Sequence, residues 1–194
     1  MPVLSVPLRL VNNGEQMINT QETETTVLNT IALRGIVVFP GSTFSFEIGR
    51  TKSINALRYA QINDEPLFLV PQDDISVVDP QENHLIKTGV IARVLHTAEI
   101  DNGGLQIVVE GIKRADRVET DILPDVIKCA VSDRRAKKLP SFAKERIAVK
   151  ELYKVFSEYL NYISKPSEEV IEEANSIADA SQLADFLANS FVVN

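Results

Sequence analysis

The side chains of this sequence that could do chemistry are few and scattered. His84 and His96, the single cysteine Cys129, the adjacent aspartates Asp73 and Asp74, and the serines Ser132 and Ser164 near basic residues are the candidates for acid–base, metal-binding or nucleophilic work. A zinc site needs three or four His, Cys or carboxylate ligands at close spacing, which one cysteine and two distant histidines do not supply. A nucleophilic serine needs a base held within hydrogen-bond reach, and neither Ser132 nor Ser164 sits in a motif that provides one. A phosphate-cradling loop of the Walker type ends in Gly-Lys, yet none of the eight glycines is followed by lysine. Asp73 and Asp74 follow Pro71 at a strand exit, where adjacent carboxylates act as turn formers. His84 is expected in an exposed loop, His96 as a half-buried strand residue, and Cys129 as a small core hydrophobe. Catalysis and metal binding are not expected of this chain. What remains is its surface.

The elements that shape that surface are legible from periodicity. Leu33 to Phe39 reads as an apolar strand stopped at Pro40-Gly41, because proline has no ladder donor, and Phe44, Phe46 and Ile48 alternate on a following strand. A hairpin or corner is predicted there. The spacing of Ile54, Leu57, Arg58 and Ile62 predicts a helix over 51–63, capped by Thr51 or Ser53. A strand over 67–70, a turn, and an irregular piece over 75–80 come next. Two β-branched runs, 89–97 and 105–110, flank Asn102-Gly103-Gly104 and read as a hairpin. Gly111 is expected to bend or bulge the chain so that 115–119 starts a new strand, and 126–131 is the last.

After a charged, proline-ended linker at 134–140 the period changes to that of helices. Ser141 caps a helix whose stripe is Phe142, Val149, Leu152, Phe156, Tyr159 and Ile163. A second helix starts at 167–169 and a third covers 181–191, with Leu183, Phe186, Leu187 and Phe191 on one face. The expected fold is therefore α+β. An extended or partly disordered arm (1–26) precedes a small strand-rich, barrel-like domain with one helix (27–133), and a C-terminal helical bundle (141–194) follows.

Composition sets the class. The chain has 194 residues, 44% hydrophobic and 24% charged, as in ordinary globular proteins. No window approaches the roughly 18 uncharged apolar residues of a membrane span. A net charge of −7 disfavours nucleic acid as the partner, since that binding rests on neutralising phosphates. Lys113, Arg114 and Arg117, and the cluster Arg134, Arg135, Lys137 and Lys138, are local exceptions that would serve a less favoured nucleic-acid reading. The lone cysteine and the absence of a signal sequence fit the cytoplasm.

Three segments carry a resemblance. Ala32-Leu33-Arg34-Gly35 through Phe39-Pro40-Gly41 with Arg50 and Ser53, then Gly111-Ile112-Lys113-Arg114, then Leu183-Ala184-Asp185-Phe186, stand in the order in which similar residues occur in the amino-terminal domain of Lon proteases. The chain resembles that domain over roughly residues 29–191. The resemblance implies a PUA-like pseudo-barrel and a non-catalytic part credited with engaging unfolded or damaged protein substrates. It implies that ATP, magnesium and a serine–lysine dyad belong to segments not in this sequence, and that the partners are client polypeptides and the remainder of a homo-oligomeric ring. The apolar end Phe191-Val192-Val193-Asn194 is what a piece of a longer chain would show. Client recognition needs exposed apolar side chains or an open strand edge, and Phe39, Phe44 and Phe46 around the corner are the tentative substrate-binding residues. Leu33, Arg34, Gly35, Pro40, Gly41, Arg50, Gly111, Arg114, Leu183, Ala184 and Asp185 are expected to be structural. The alternative is a stand-alone adaptor or ligand-binding module of the same fold, of the kind found in cereblon.

Overall fold

A computed structural model describes residues 24–101, 103–134, 140–162 and 167–191. The expected arm, save its last few residues, most of the expected linker, and Ile163 and Ser164 lie outside the described residues.

Six strands form one sheet: β1 (Thr25–Leu33), β2 (Thr43–Ile48), β3 (Leu67–Pro71), β4 (Thr88–Glu99), β5 (Leu105–Ile122) and β6 (Ile127–Asp133). Their order is β2-β5-β4-β3-β1-β6, and an added β5–β6 pairing joins the second half of β5 to β6. Strands β5, β4, β3, β1 and β6 thus close on themselves, with β2 hung on the first half of β5. All pairings are antiparallel except β1 with β3. Closure follows from the length of β5, which is long enough to serve β2 and β6 at opposite ends.

Strand β3 explains how the core is divided. Leu67 and Leu69 face one cluster with Ile31, Leu33, Phe46 and Ile107, while Phe68 and Val70 face another with Leu28, Cys129 and Val131. Both faces are buried, so the sequence reads as an uninterrupted apolar run. The helix α1 (Thr51–Asn63) seals the first cluster with Ala56, Leu57 and Ala60. Cys129 sits in the second, as expected of a small hydrophobe, and burial pushes its thiol above the ordinary value.

Several expectations need correction. No hairpin joins β1 to β2, because β3 and β6 already occupy both edges of β1 and β2 pairs with β5 instead. Only the corner forms. Strand β1 ends at Leu33, and Gly35 (φ 67°) and Gly41 (φ 75°) turn the intervening loop through the left-handed region. Gly111 does not divide two strands: β5 runs through it, and the register slip falls at Ile112, which is left over between the pairs Ile91–Lys113 and Ala92–Gly111. A second slip leaves Leu95 unpaired between Val94 and His96, so His96 turns out to solvent and is exposed rather than half-buried. His84 is half-buried, its Nδ1 accepting from the Gln81 amide at 3.0 Å in a short 3₁₀ turn.

Hairpin β4–β5 closes at 100–104 with Gly103 at φ 79°, as the Asn-Gly-Gly run predicts. Three helices follow: α2 (Phe142–Tyr159), α3 (Glu168–Ser176) and α4 (Ala180–Phe191). Ser141 caps α2, its hydroxyl accepting from the Lys144 amide at 3.3 Å. Phe142, placed in the buried stripe by spacing, is instead 78% exposed. Within these helices only Phe156, Ala174 and Leu183 are buried among the described residues. The helices hold together through the Phe156–Phe191 ring contact (centroids 5.0 Å apart), the Tyr153 hydroxyl donating to the Ala174 carbonyl, and the Ala180 amide donating to Glu145 Oε1 at 2.7 Å.

Candidate functional site

The loop over 34–42 meets β5 at one point, and the contact explains why Gly111 has to be a glycine. The Gly41 amide donates to the Gly111 carbonyl at 2.8 Å, and the Gly111 amide donates to the Ser42 carbonyl at 2.9 Å. A Cβ added at Gly111 would lie 2.2 Å from the Phe39 carbonyl oxygen. The turn is fixed further by the Ser42 hydroxyl, which donates to that same carbonyl at 2.7 Å. Beyond it the Arg114 guanidinium stands over the Phe39 ring, 5.9 Å from its centroid. Both Arg114 terminal nitrogens donate to the Asp185 carboxylate of α4. Loop, sheet and helix are thereby latched through Phe39, Arg114 and Asp185.

On the other side of the loop lies a hollow of about 320 Å³ between the end of β1 and β2, lined by Ile31, Leu33, Arg34, Ile36, Ile48, Arg50, Ser53 and Val78. Ala32, Arg50, Lys52, Ser53, Val78 and Asp79 line a second hollow that shares its wall. The lips are apolar. Ile36 and Val78 line the first hollow, Val78 being 70% exposed, and Val37 (43%) and Ile75 (62%) are exposed in the two neighbouring loops. Among the described residues β2 pairs only with β5, so its other edge is unpaired beside this groove. The cations come from Arg34, whose Nη2 donates to the Val77 carbonyl at 3.2 Å, and Arg50, whose Nη1 donates to the Ala32 carbonyl at 3.3 Å. Burial first, and then the neighbouring Arg34 charge, hold the Arg50 guanidinium below its ordinary value, with Asp79 working the other way.

The expected site residues divide accordingly. Phe46 is 6% exposed and belongs to the core, and it reaches the surface only as part of the lining of this groove. Phe44 is half-buried against that core, 6.3 Å from the Phe46 ring, and Phe39 is half-buried under Arg114. Leu33 is core, Arg34 and Arg50 line the groove, and Gly111, Arg114 and Asp185 form the latch. Leu183 is fully buried on α4. Spacing missed Ile36, Ile75 and Val78, although three apolar residues in the irregular 75–78 stretch were a signal that this loop carries surface.

The remaining candidates are accounted for. Asp74 Oδ1 accepts from the Ser76 amide (2.8 Å) and hydroxyl (2.7 Å), so it shapes a turn. Ser132 donates weakly to the Asp116 carbonyl (3.5 Å), with no base bonded to it. No group of three His, Cys, Asp or Glu that could hold a metal exists among the described residues. Lys113 is bound to Asp133, Arg117 to Glu82 and Arg134 to Asp116, so these basic residues are neutralised in pairs.

The family model of the ATP-dependent protease La (LON) substrate-binding domain matches residues 27–194. The chain belongs to this family. Among relatives it is similar to the Lon protease of Halothermothrix orenii (32% identical over 179 residues, 90% of this chain and 22% of that one). The Lon protease of Bacillus thuringiensis is 26% identical over 171 residues, 88% of this chain and 21% of that one. The chain thus spans about a fifth of the length of the curated relatives it matches. In structure it is similar to the N-terminal domain of the Mycobacterium avium complex Lon protease, with a TM-score of 0.67 at 20% identity, covering 87% of this chain and 85% of that one. As a Lon substrate-binding domain, the chain has a mixed α+β, strand-rich fold in common with that structure. The three segments that carried the resemblance are the ones that meet at Phe39, Arg114 and Asp185. No helix of the described residues is long and apolar enough to cross a membrane.

Proposed function

We propose that this chain is the non-catalytic part of a Lon-type protease that engages unfolded or damaged polypeptides before they are cut elsewhere in the molecule. The carrying observation is the corner groove: Ile36 and the exposed Val78 on its walls beside the unpaired edge of β2. Unfolded chains offer apolar side chains and unpaired backbone together, and a groove with apolar lips next to a free strand edge takes both. ATP, magnesium and the cutting residues are assigned to the four-fifths of the relatives' length that this chain does not cover, and the ring of copies to those same segments. The setting is the cytoplasm.

The test uses fluorescence anisotropy of reduced, carboxymethylated α-lactalbumin, which stays unfolded, against its native form. Saturable binding of the unfolded form alone, without cleavage and weakened by Val78→Asp, is expected. Equal binding of both forms, or cleavage of either, contradicts it.

A further inference from the structure

Six cations of the described residues hold carboxylates: Lys52, Arg93, Lys113, Arg114, Arg117 and Arg134. The two that line the corner groove do not. Arg34 and Arg50 each donate to one backbone carbonyl and, among the described residues, form no ion pair. A guanidinium carries five N–H donors, so most of theirs remain unused. Of the acids on the two walls, Asp79 is already bound to Lys52 at 2.9 Å, and Glu47 of β2 forms no ion pair with either arginine.

The same wall holds the start of α1. This helix begins at Arg50 with no capping side chain and no acidic residue in its first turn, so its leading amides keep their positive end uncompensated. Ser53 lies in that turn, is only 6% exposed, and lines both hollows. Its hydroxyl makes no hydrogen bond among the described residues. Two repelling guanidiniums, an uncapped helix start and a hydroxyl with no protein partner among the described residues face one hollow, and a single anion can pair with all of them.

We propose that this groove takes a carboxylate carried by an extended polypeptide, with Arg50 and Arg34 pairing to its oxygens and the Ser53 hydroxyl and first-turn amides of α1 donating to them. Apolar Ile36 and Val78 on the walls and the unpaired β2 edge alongside favour a peptide over a free inorganic anion. The carboxylate comes from a chain end or from an Asp or Glu side chain. This rests on the reading of the domain as a polypeptide binder.

The test titrates the full chain with a fluorescein-labelled, ten-residue peptide rich in Leu and Phe in three forms: free carboxyl end, carboxamide end, and carboxamide end with one internal Glu. The free-acid form is expected to bind about tenfold tighter than the carboxamide, as a charge-assisted pair allows. Recovery of that affinity by the internal Glu assigns the site to acidic side chains, and no recovery assigns it to chain ends. Arg34→Gln and Arg50→Gln each shrink the ratio toward one. Arg34 is exposed, so its variant keeps the test informative if Arg50→Gln disturbs folding. Equal affinity of all three forms overturns the carboxylate inference while leaving polypeptide binding intact. Absence of binding by every form overturns both.

Discussion

Arg114 on β5 and Asp185 on α4, 71 residues apart in sequence, form a two-pronged ion pair that ties the helices to the closed sheet. The pair is largely shielded, with side-chain exposures of 31% and 13%. On its far side Arg114 covers the Phe39 ring, so the loop that walls the groove is fixed to the same point. Since the helices have few buried residues of their own, this contact sets where they sit.

Asp185→Asn removes the charge and leaves Arg114 with one good acceptor instead of two. A loss of about 1–2 kcal/mol in urea unfolding is expected, discounted for the partial exposure of Arg114. Amide exchange should quicken in α4 while β3 and β6 stay protected. Unchanged exchange in α4 would show that the pair does not anchor the helices.

Gly111→Ala forces a Cβ against the Phe39 carbonyl at 2.2 Å, where backbone faces backbone and no side chain can yield. A loss of about 3 kcal/mol or more is expected, since the turn and β5 must separate. Gly49→Ala is the control. A Cβ there meets nothing within 4 Å, so stability should hold or rise by about 0.5 kcal/mol. Comparable melting temperatures for the two variants would refute the close-approach explanation.

Asp116 provides a pH test. Burial works against its charge but is outweighed by the Thr88 hydroxyl (2.7 Å) and the Arg134 guanidinium (3.0 Å), which hold its carboxyl below the usual 3.8. Its folded value is depressed, so the stabilisation is present above the ordinary value and is lost as pH falls through the folded one. The stability gap between the native chain and Asp116→Asn should therefore be wide near neutrality and narrow as pH drops below 3.8. A gap constant across that range would contradict the assignment.

Cys129 is expected to resist thiol reagents in the folded chain. Burial raises its thiol, against the pull of Thr30, Thr120 and Arg117. Because the folded value is raised, its contribution is present below the unfolded value and lost as pH rises through the folded one. Labelling at neutral pH should track global opening and accelerate in urea. Rapid labelling in native buffer would place the thiol outside the core.

Local signals carried much of the architecture into the sequence. The Asn102-Gly103-Gly104 hairpin, the 51–63 helix and the Ser141 cap follow from turn chemistry, period and capping, each decided within a few residues. Pairings decided at long range were not legible. That β2 joins β5 rather than β1 depends on β3 and β6 filling both edges of β1, which no local pattern announces. The outward turn of His96 depends on a bulge at Leu95 that interrupts an otherwise regular alternation. For the groove, Arg34 and Arg50 were visible as basic residues near the corner, but their freedom from carboxylates is a matter of what lies across the fold. Phe46 alternated as a surface candidate would, and packing placed it in the core.

Hydrogen exchange of the chain with and without carboxymethylated α-lactalbumin tests the central claim most directly. Protection confined to 35–38, 43–48 and 75–78, the loop, free strand edge and lip of the groove, is the expected result. Protection centred on the exposed face of α2 around Phe142 and Val155, or no protection anywhere, would contradict it.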